Sequence, residues 1–258
     1  MRLGVVSDIH GNLPALQAVV AAAGAVDGWL NLGDIVSGPL WPEETAAWLM
    51  QQGWPTIAGN HERQVLAGMH GATAAQADVA ASDRFAAAHL RPEQRAWIAA
   101  LPPSMQPAPG LMCVHGTPQS DLIYLLETVT PAGRSAASVA EVQGRLGSLP
   151  AGTALLLCGH SHVPRSVSVG PLHVANPGSV GLQAYAHDWP YPHTVHNGSP
   201  QARYAIVEQS PSGWQLQLCT ADYDHAAAAR KAQAEGFDDW AHALATGQTL
   251  GNRGLMPS

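Results

Sequence analysis

Short apolar runs alternate with segments of helical period through the first two thirds of the chain, and polar residues cluster where the runs stop. Residues 3–6 (Leu-Gly-Val-Val) read as a buried strand. Asn12 suits the cap of the next helix and Pro14 its first turn, with Leu13, Leu16, Val19, Val20 and Ala23 forming one apolar face. Residues 29–32 predict a second strand, 43–51 a helix opened by Pro42, and 56–58 a short third strand. An alanine-rich helical stretch follows at about 73–100, broken near Arg91-Pro92. Residues 111–114 and 154–158 are buried runs on either side of a helix near 135–147. Two hairpins follow, 166–169 with 172–175 and 203–208 with 214–219, and then a helical segment at about 222–246. No repeat or linker divides this pattern, so the expected fold is a mixed α/β (α+β) one in which residues 1–258 form a single domain.

The chemistry-bearing residues stand at the ends of the strands. Asp8 and His10 follow the first run, Gly33-Asp34 the second, Gly59-Asn60-His61-Glu62 the third, His115-Gly116 the fourth, and Gly159-His160-Ser161-His162 the fifth. Asp8/His10 and His160/His162 are spaced i and i+2, so in an extended chain each pair faces one way and Ser161 faces the other. Ligands of open α/β sheets gather beyond the carboxyl ends of the strands, so the motifs can converge on one centre. Imidazole, carboxylate and amide oxygen form a mixed N/O set suited to Mn²⁺, Fe, Zn²⁺, Co²⁺ or Ni²⁺, and a thiolate zinc site is excluded. Cys113, Cys158 and Cys219 read as small hydrophobes in a reducing compartment.

Composition narrows the partners. Twelve basic against nineteen acidic residues give a net charge of −7, and no basic cluster favours a nucleic-acid polymer or an anionic membrane. The first residues leave no room for a signal-peptide core, and no apolar run approaches the ~20 residues of a membrane span, so a cytoplasmic protein is expected.

Taken together, Asp8-x-His10, Gly33-Asp34, Gly59-Asn60-His61-Glu62, Val114-His115-Gly116 and Gly159-His160-Ser161-His162 resemble the calcineurin-like metallophosphoesterase superfamily. With residues 176–180 (Asn-Pro-Gly-Ser-Val), the chain is similar to its shorter prokaryotic branch of phosphodiesterases and diadenosine-tetraphosphatase-like enzymes. The resemblance implies two mixed β-sheets packed as a sandwich with helices outside. It implies two divalent cations, Mn²⁺ first among them, with Asp8, His10 and His162 on one, Asn60, His115 and His160 on the other, and Asp34 bridging. His61 would stand at the leaving group as general acid, oriented by Glu62 or Asp34. The implied activity is hydrolysis of small phosphodiester or nucleotide substrates by metal-activated water. The alternatives are a phosphomonoesterase or protein-phosphatase-like enzyme and a non-catalytic scaffold on the same fold.

Two segments depart from the superfamily pattern. Ser37-Gly38 stands where its protein phosphatases carry Asp-Arg, with Arg63 a substitute for that arginine or simply a surface residue. Residues 183–200 are rich in aromatic and histidine side chains and read as a lid or specificity loop, or as ordered surface or a homodimer contact. His193 and His196 would share an extra metal only on a helix. Trp41 is placed either to stack on a base or to cover the domain edge.

Overall fold

The computed structural model describes residues 1–68, 80–211 and 213–250. Strand β1 (Arg2–Val6) pairs in parallel with β2 (Gly28–Asn31) and antiparallel with β12 (Ala202–Ser210), which continues to β13 (Gly213–Ala221). The second sheet has the order β3 (Ser104–Ala108), β4 (Leu111–Val114), β7 (Leu155–Leu157), β9 (Leu172–Asn176), β8 (Arg165–Val169). Its three central strands are parallel and its two edges antiparallel.

The alternation along each strand shows how the layers form. Leu3 and Val5 of β1 and Leu155 and Leu157 of β7 belong to one buried cluster, together with Leu30, Leu111, Ala205 and Val207. That cluster draws on both sheets and is the centre of the sandwich. Val6, one residue out of phase, packs instead with Leu16 and Val19 of α1 (Leu13–Ala22) and Leu49 of α2 (Pro42–Gln52). Leu156, out of phase in the other sheet, packs with Val142 and Leu146 of α6 (Val139–Leu146). A period of two on strands buried on both faces thus yields two mixed sheets face to face with helices outside, the expected fold class.

Local signals set the helix boundaries. Asn12 accepts from the Ala15 amide (3.3 Å) and opens α1 ahead of Pro14. Ser138 and Glu141 form a capping box, so α6 begins at Val139 rather than near 135. Upstream of it, β5 (Glu127–Thr130) and β6 (Gly133–Ala136) make a hairpin whose polar sequence carries no strand signal. The Ala-rich stretch is α4 (Ala81–His89) and α5 (Pro92–Ala99), its expected start at 73–79 lying outside the described residues. The last helical segment is two helices, α7 (His225–Ala234) and α8 (Asp238–Thr246), separated at Gly236 (φ +84°).

The third strand is corrected. Residues 56–58 make only a parallel bridge from Thr56 to Asn31, because the Ala58 amide turns away to the Pro102 carbonyl (2.8 Å). Residues 60–67, which were given no element, form α3 (Asn60–Ala67) with Asn60 as its first residue. Among the described residues, no helix is long and apolar enough to cross a membrane.

Candidate metal centre

The five non-glycine residues with positive φ among those described are Asp8 (+54°), His10 (+51°), Asp34 (+55°), His160 (+67°) and His162 (+59°). All five were singled out from the sequence, but the convergence has a different origin from the one expected. The chain is not extended there; the segments that follow β1, β2 and β7 pass through left-handed backbone at these positions. Such backbone is costly for residues with a Cβ, and it concentrates where function over-determines it. Ser161, expected to face away, is buried and accepts from Asn176 Nδ2 (3.1 Å). The same amide also donates to the Gly159 carbonyl (2.6 Å), tying the end of β9 to the loop that carries both histidines.

Two ligand sets result. Asp8, His10 and His162 offer atoms within 4.8 Å of one another, and so do Asp34, His115 and His160. The tautomers show what they can bind. Each Nδ1–H of His10, His115 and His162 donates to a backbone carbonyl, of Ser37 (2.8 Å), Leu32 (2.8 Å) and Leu182 (2.7 Å) respectively. In the neutral rings of His10 and His162, Nε2 is then a lone pair. His10 Nε2 nevertheless lies 3.1 Å from His162 Nε2. His115 Nε2 lies 3.1 Å from both Asn60 Oδ1 and Asp34 Oδ2. Asp8 Oδ2 is buried with no hydrogen-bond partner. Acceptors facing acceptors, with the far side of each imidazole anchored to the backbone, are the arrangement that divalent cations satisfy, and the donor set fits them.

The electrostatics agree. Burial holds His10 down to about 4, His160 to about 3 and His162 well below its ordinary value, so these imidazoles are neutral donors of a lone pair. Burial, opposed by His115 and reinforced by Asp34, raises Asp8 to about 7. Burial works against ionisation of Asp34 as well, but His115 and His61 hold it well below the usual carboxylate range. In return, against the effect of burial, Asp34 lifts His115 to about 10. The negative potential of the site is therefore focused on Asp34, between the remaining groups.

His61 lines the same cavity of about 620 Å³ as His10, Asp34 and Asn60. Its backbone amide donates to Asp34 Oδ1 (2.9 Å), while its ring Nδ1 lies 2.8 Å from Oδ1 of the buried Asp83 on α4. Neither residue expected to orient the imidazole does so. Glu62 instead accepts from the amides of Asp34 (2.8 Å), Ile35 (2.7 Å) and Gly59 (2.7 Å), joining the second and third motifs. Asp83 sits inside an alanine-rich run with no motif around it, and only the approach of α4 to α3 brings it here.

The glycines of the motifs allow this crowding. At Gly33 φ is +96°, and a Cβ there would overlap the backbone of Gly59. Gly33→Ala is expected to destabilise the fold by well over 1 kcal/mol, read as a lower denaturant midpoint at unchanged slope; an unchanged midpoint would contradict the packing described.

Arg63 is bound in two-pronged fashion by Asp121 (2.7 and 2.9 Å), an exposed ion pair at the cavity rim. Trp41 packs with Leu40, Ala228 and Leu244 at the domain edge, and an indole that does reach the site is that of Trp240, its ring 5.8 Å from that of His10. Residues 183–200 hold a hairpin, β10 (Ala184–His187) with β11 (His193–His196). On a strand, residues three apart face opposite ways, and His193 is buried while His196 is exposed, so the extra metal site does not form. His70, which belongs to none of the motifs, lies outside the described residues.

Comparison with known proteins agrees with this geometry. No curated protein matches the chain. Solved structures of similar fold include a metallophosphoesterase from Sphaerobacter thermophilus, 24% identical with a TM-score of 0.76, covering 96% of this chain and 99% of that one. A hypothetical protein from Pyrococcus horikoshii OT3 is 18% identical with a TM-score of 0.73 and the same coverage. A candidate diadenosine tetraphosphatase is 16% identical with a TM-score of 0.52, covering 86% of this chain and 94% of that one. The family model for the calcineurin-like phosphoesterase superfamily domain matches residues 1–195, the span that carries every motif above. The chain belongs to the calcineurin-like phosphoesterase superfamily, a family of metal-dependent phosphoesterases.

Proposed function

We propose that this protein is a dinuclear metal-dependent phosphoesterase that hydrolyses small phosphodiester or nucleotide substrates. The observation that carries the reading is the facing of lone pair on lone pair, His10 Nε2 against His162 Nε2, beside the buried and unpartnered Asp8 Oδ2. Asp8, His10 and His162 would hold one cation, Asn60, His115 and His160 the other, and Asp34 both. Bound there, the cations would supply charge stabilisation for the phosphoryl oxygens and a nucleophile from water.

The chain's own groups do the rest. Nδ1 of His61 is fixed on Asp83, which leaves Nε2 to deliver a proton to the departing oxygen. Phe85, Ala86 and Ala87 on the same helix pack into the body of the protein, so Asp83 is carried by an anchored element. The one guanidinium among the described residues lining the cavity, Arg63, is engaged by Asp121. A singly charged diester suits such a wall better than a dianionic monoester. The fold's resemblance to a candidate diadenosine tetraphosphatase supports a nucleotide among the substrates.

The test is the ratio of hydrolysis rates for a 4-nitrophenyl phosphodiester and the matching monoester, with Mn²⁺ and after chelator treatment. A metal-dependent rate that favours the diester is expected. Faster monoester cleavage would move the assignment to a phosphomonoesterase, and no metal-dependent cleavage of either ester would leave a scaffold.

A further inference from the structure

The cavity at the centre does not end at the candidate ligands. Past Tyr124 and His160 it continues into a smaller chamber of about 230 Å³, and Leu122, Tyr124, His160, His187 and Trp189 line both spaces. His61 and Asp83 line only the larger one. The chamber's mouth is apolar and open to solvent: Leu122 is 39% exposed, Ile123 43% and Trp189 53%. Large apolar side chains grouped at the door of a polar centre are a binding feature more often than scattered surface residues are.

The loop that follows His115 and the β10–β11 hairpin build the apolar side of this wall, Glu127, Thr128 and Val129 of β5 and Arg145 of α6 complete the chamber, and the loop and the hairpin are tied to the body of the protein. The Tyr124 hydroxyl is bonded to the Tyr185 hydroxyl (2.7 Å) and to His193 Nε2 (3.1 Å), and its ring stands 4.8 Å from that of His160. Asn197 Nδ2 holds the base of the hairpin to the His162 carbonyl (3.0 Å). The chamber is therefore part of the resting architecture, built as a wall rather than a flap.

We infer that this chamber is the subsite for the substituent a phosphodiester keeps after cleavage, and that it takes a flat aromatic group such as an aryl ring or a nucleobase. The inference rests on the phosphodiesterase reading above. A phosphoryl group held at the centre has His61 and Asp83 on the leaving-group side and His160, with the chamber behind it, on another. Hydrolysis forms a new P–O bond to water oxygen and breaks the bond to the leaving group, which departs protonated as an alcohol. The retained arm stays on phosphorus throughout, so a pocket for it must lie away from His61. Trp189 and Ile123 offer that arm an aromatic face and an aliphatic edge.

The test holds the leaving group constant and changes only the retained arm. Bis(4-nitrophenyl) phosphate and methyl 4-nitrophenyl phosphate both release 4-nitrophenolate, and both are assayed with Mn²⁺ on the full-length wild type, Trp189→Ala and Ile123→Asp. The wild type is expected to prefer the aryl-retaining ester, and each variant to lower the aryl-to-methyl ratio of kcat/KM about tenfold, chiefly through KM. Circular dichroism and metal content of the variants should match wild type, since both side chains are exposed. An unchanged ratio in both variants, with wild-type turnover intact, overturns the subsite and leaves the hydrolase standing. A wild type inactive on both esters overturns the phosphodiesterase reading and the subsite with it.

Discussion

Asp34→Asn is expected to abolish metal-dependent turnover, with a loss of at least about 10³ in kcat/KM and fewer than two ions retained per chain. Asp34 is 1% exposed, receives the His61 amide on Oδ1 and lies 3.1 Å from His115 Nε2 through Oδ2. Asparagine keeps the acceptor for His61 but turns an amide or a neutral oxygen toward the centre and removes the charge on which the site's potential is focused. The fold should survive, because Glu62 continues to bind the amides of Asp34, Ile35 and Gly59. Elemental analysis beside a kinetic assay separates the possibilities. Two ions per chain in the variant would show that Asp34 is not shared between them.

His61→Ala is expected to leave the metals in place and to lower kcat by about 10²–10⁴ for a diester with an alkyl leaving group. The loss should be much smaller for 4-nitrophenolate, which departs without needing a proton. Asp83→Asn should show the same leaving-group dependence at a smaller amplitude, about tenfold. Its amide still reaches His61 Nδ1, but without the charge that fixes the ring's tautomer. A loss independent of the leaving group in both variants would mean that His61 and Asp83 shape the cavity rather than deliver a proton.

The residues of the candidate centre were legible in the sequence because each stands where a buried apolar run stops, and such ends are few. The residues that serve them from a distance were not. Asp83 reaches His61 from α4, twenty-two positions further on, through packing that no local pattern encodes. Asn176 was legible only as part of the stretch at 176–180, yet it holds the loop of His160 and His162 by two bonds. The geometry of the ligand pairs was read correctly as convergence but for the wrong reason. Extended spacing sets Ser161 apart from the ligands, but the backbone is not extended: both flanking histidines have positive φ, and the buried Ser161 hydroxyl is held by Asn176.

The fold shows the same division. Strands buried on both faces, such as β1, β7 and β9, announce themselves as apolar runs. The edge strand β3 and the hairpins β5–β6 and β10–β11 do not, because their half-exposed positions tolerate Gly, Pro and polar residues. The expected strand at 56–58 failed for the opposite reason, an apolar run too short to continue once Ala58 found its partner in Pro102. The hairpin at 184–196 places His187 and Trp189 in one chamber wall with His160, a neighbourhood that no local pattern encodes.

Two divalent cations are expected to occupy the paired ligand sets, with hydrolysis dependent on both. Protein stripped with a chelator and titrated with Mn²⁺, with bound metal and diester hydrolysis followed in the same samples, tests it directly. Activity that reaches its plateau as the second ion per chain binds is the predicted result. A plateau at one ion, or hydrolysis that persists in the stripped protein, would contradict it.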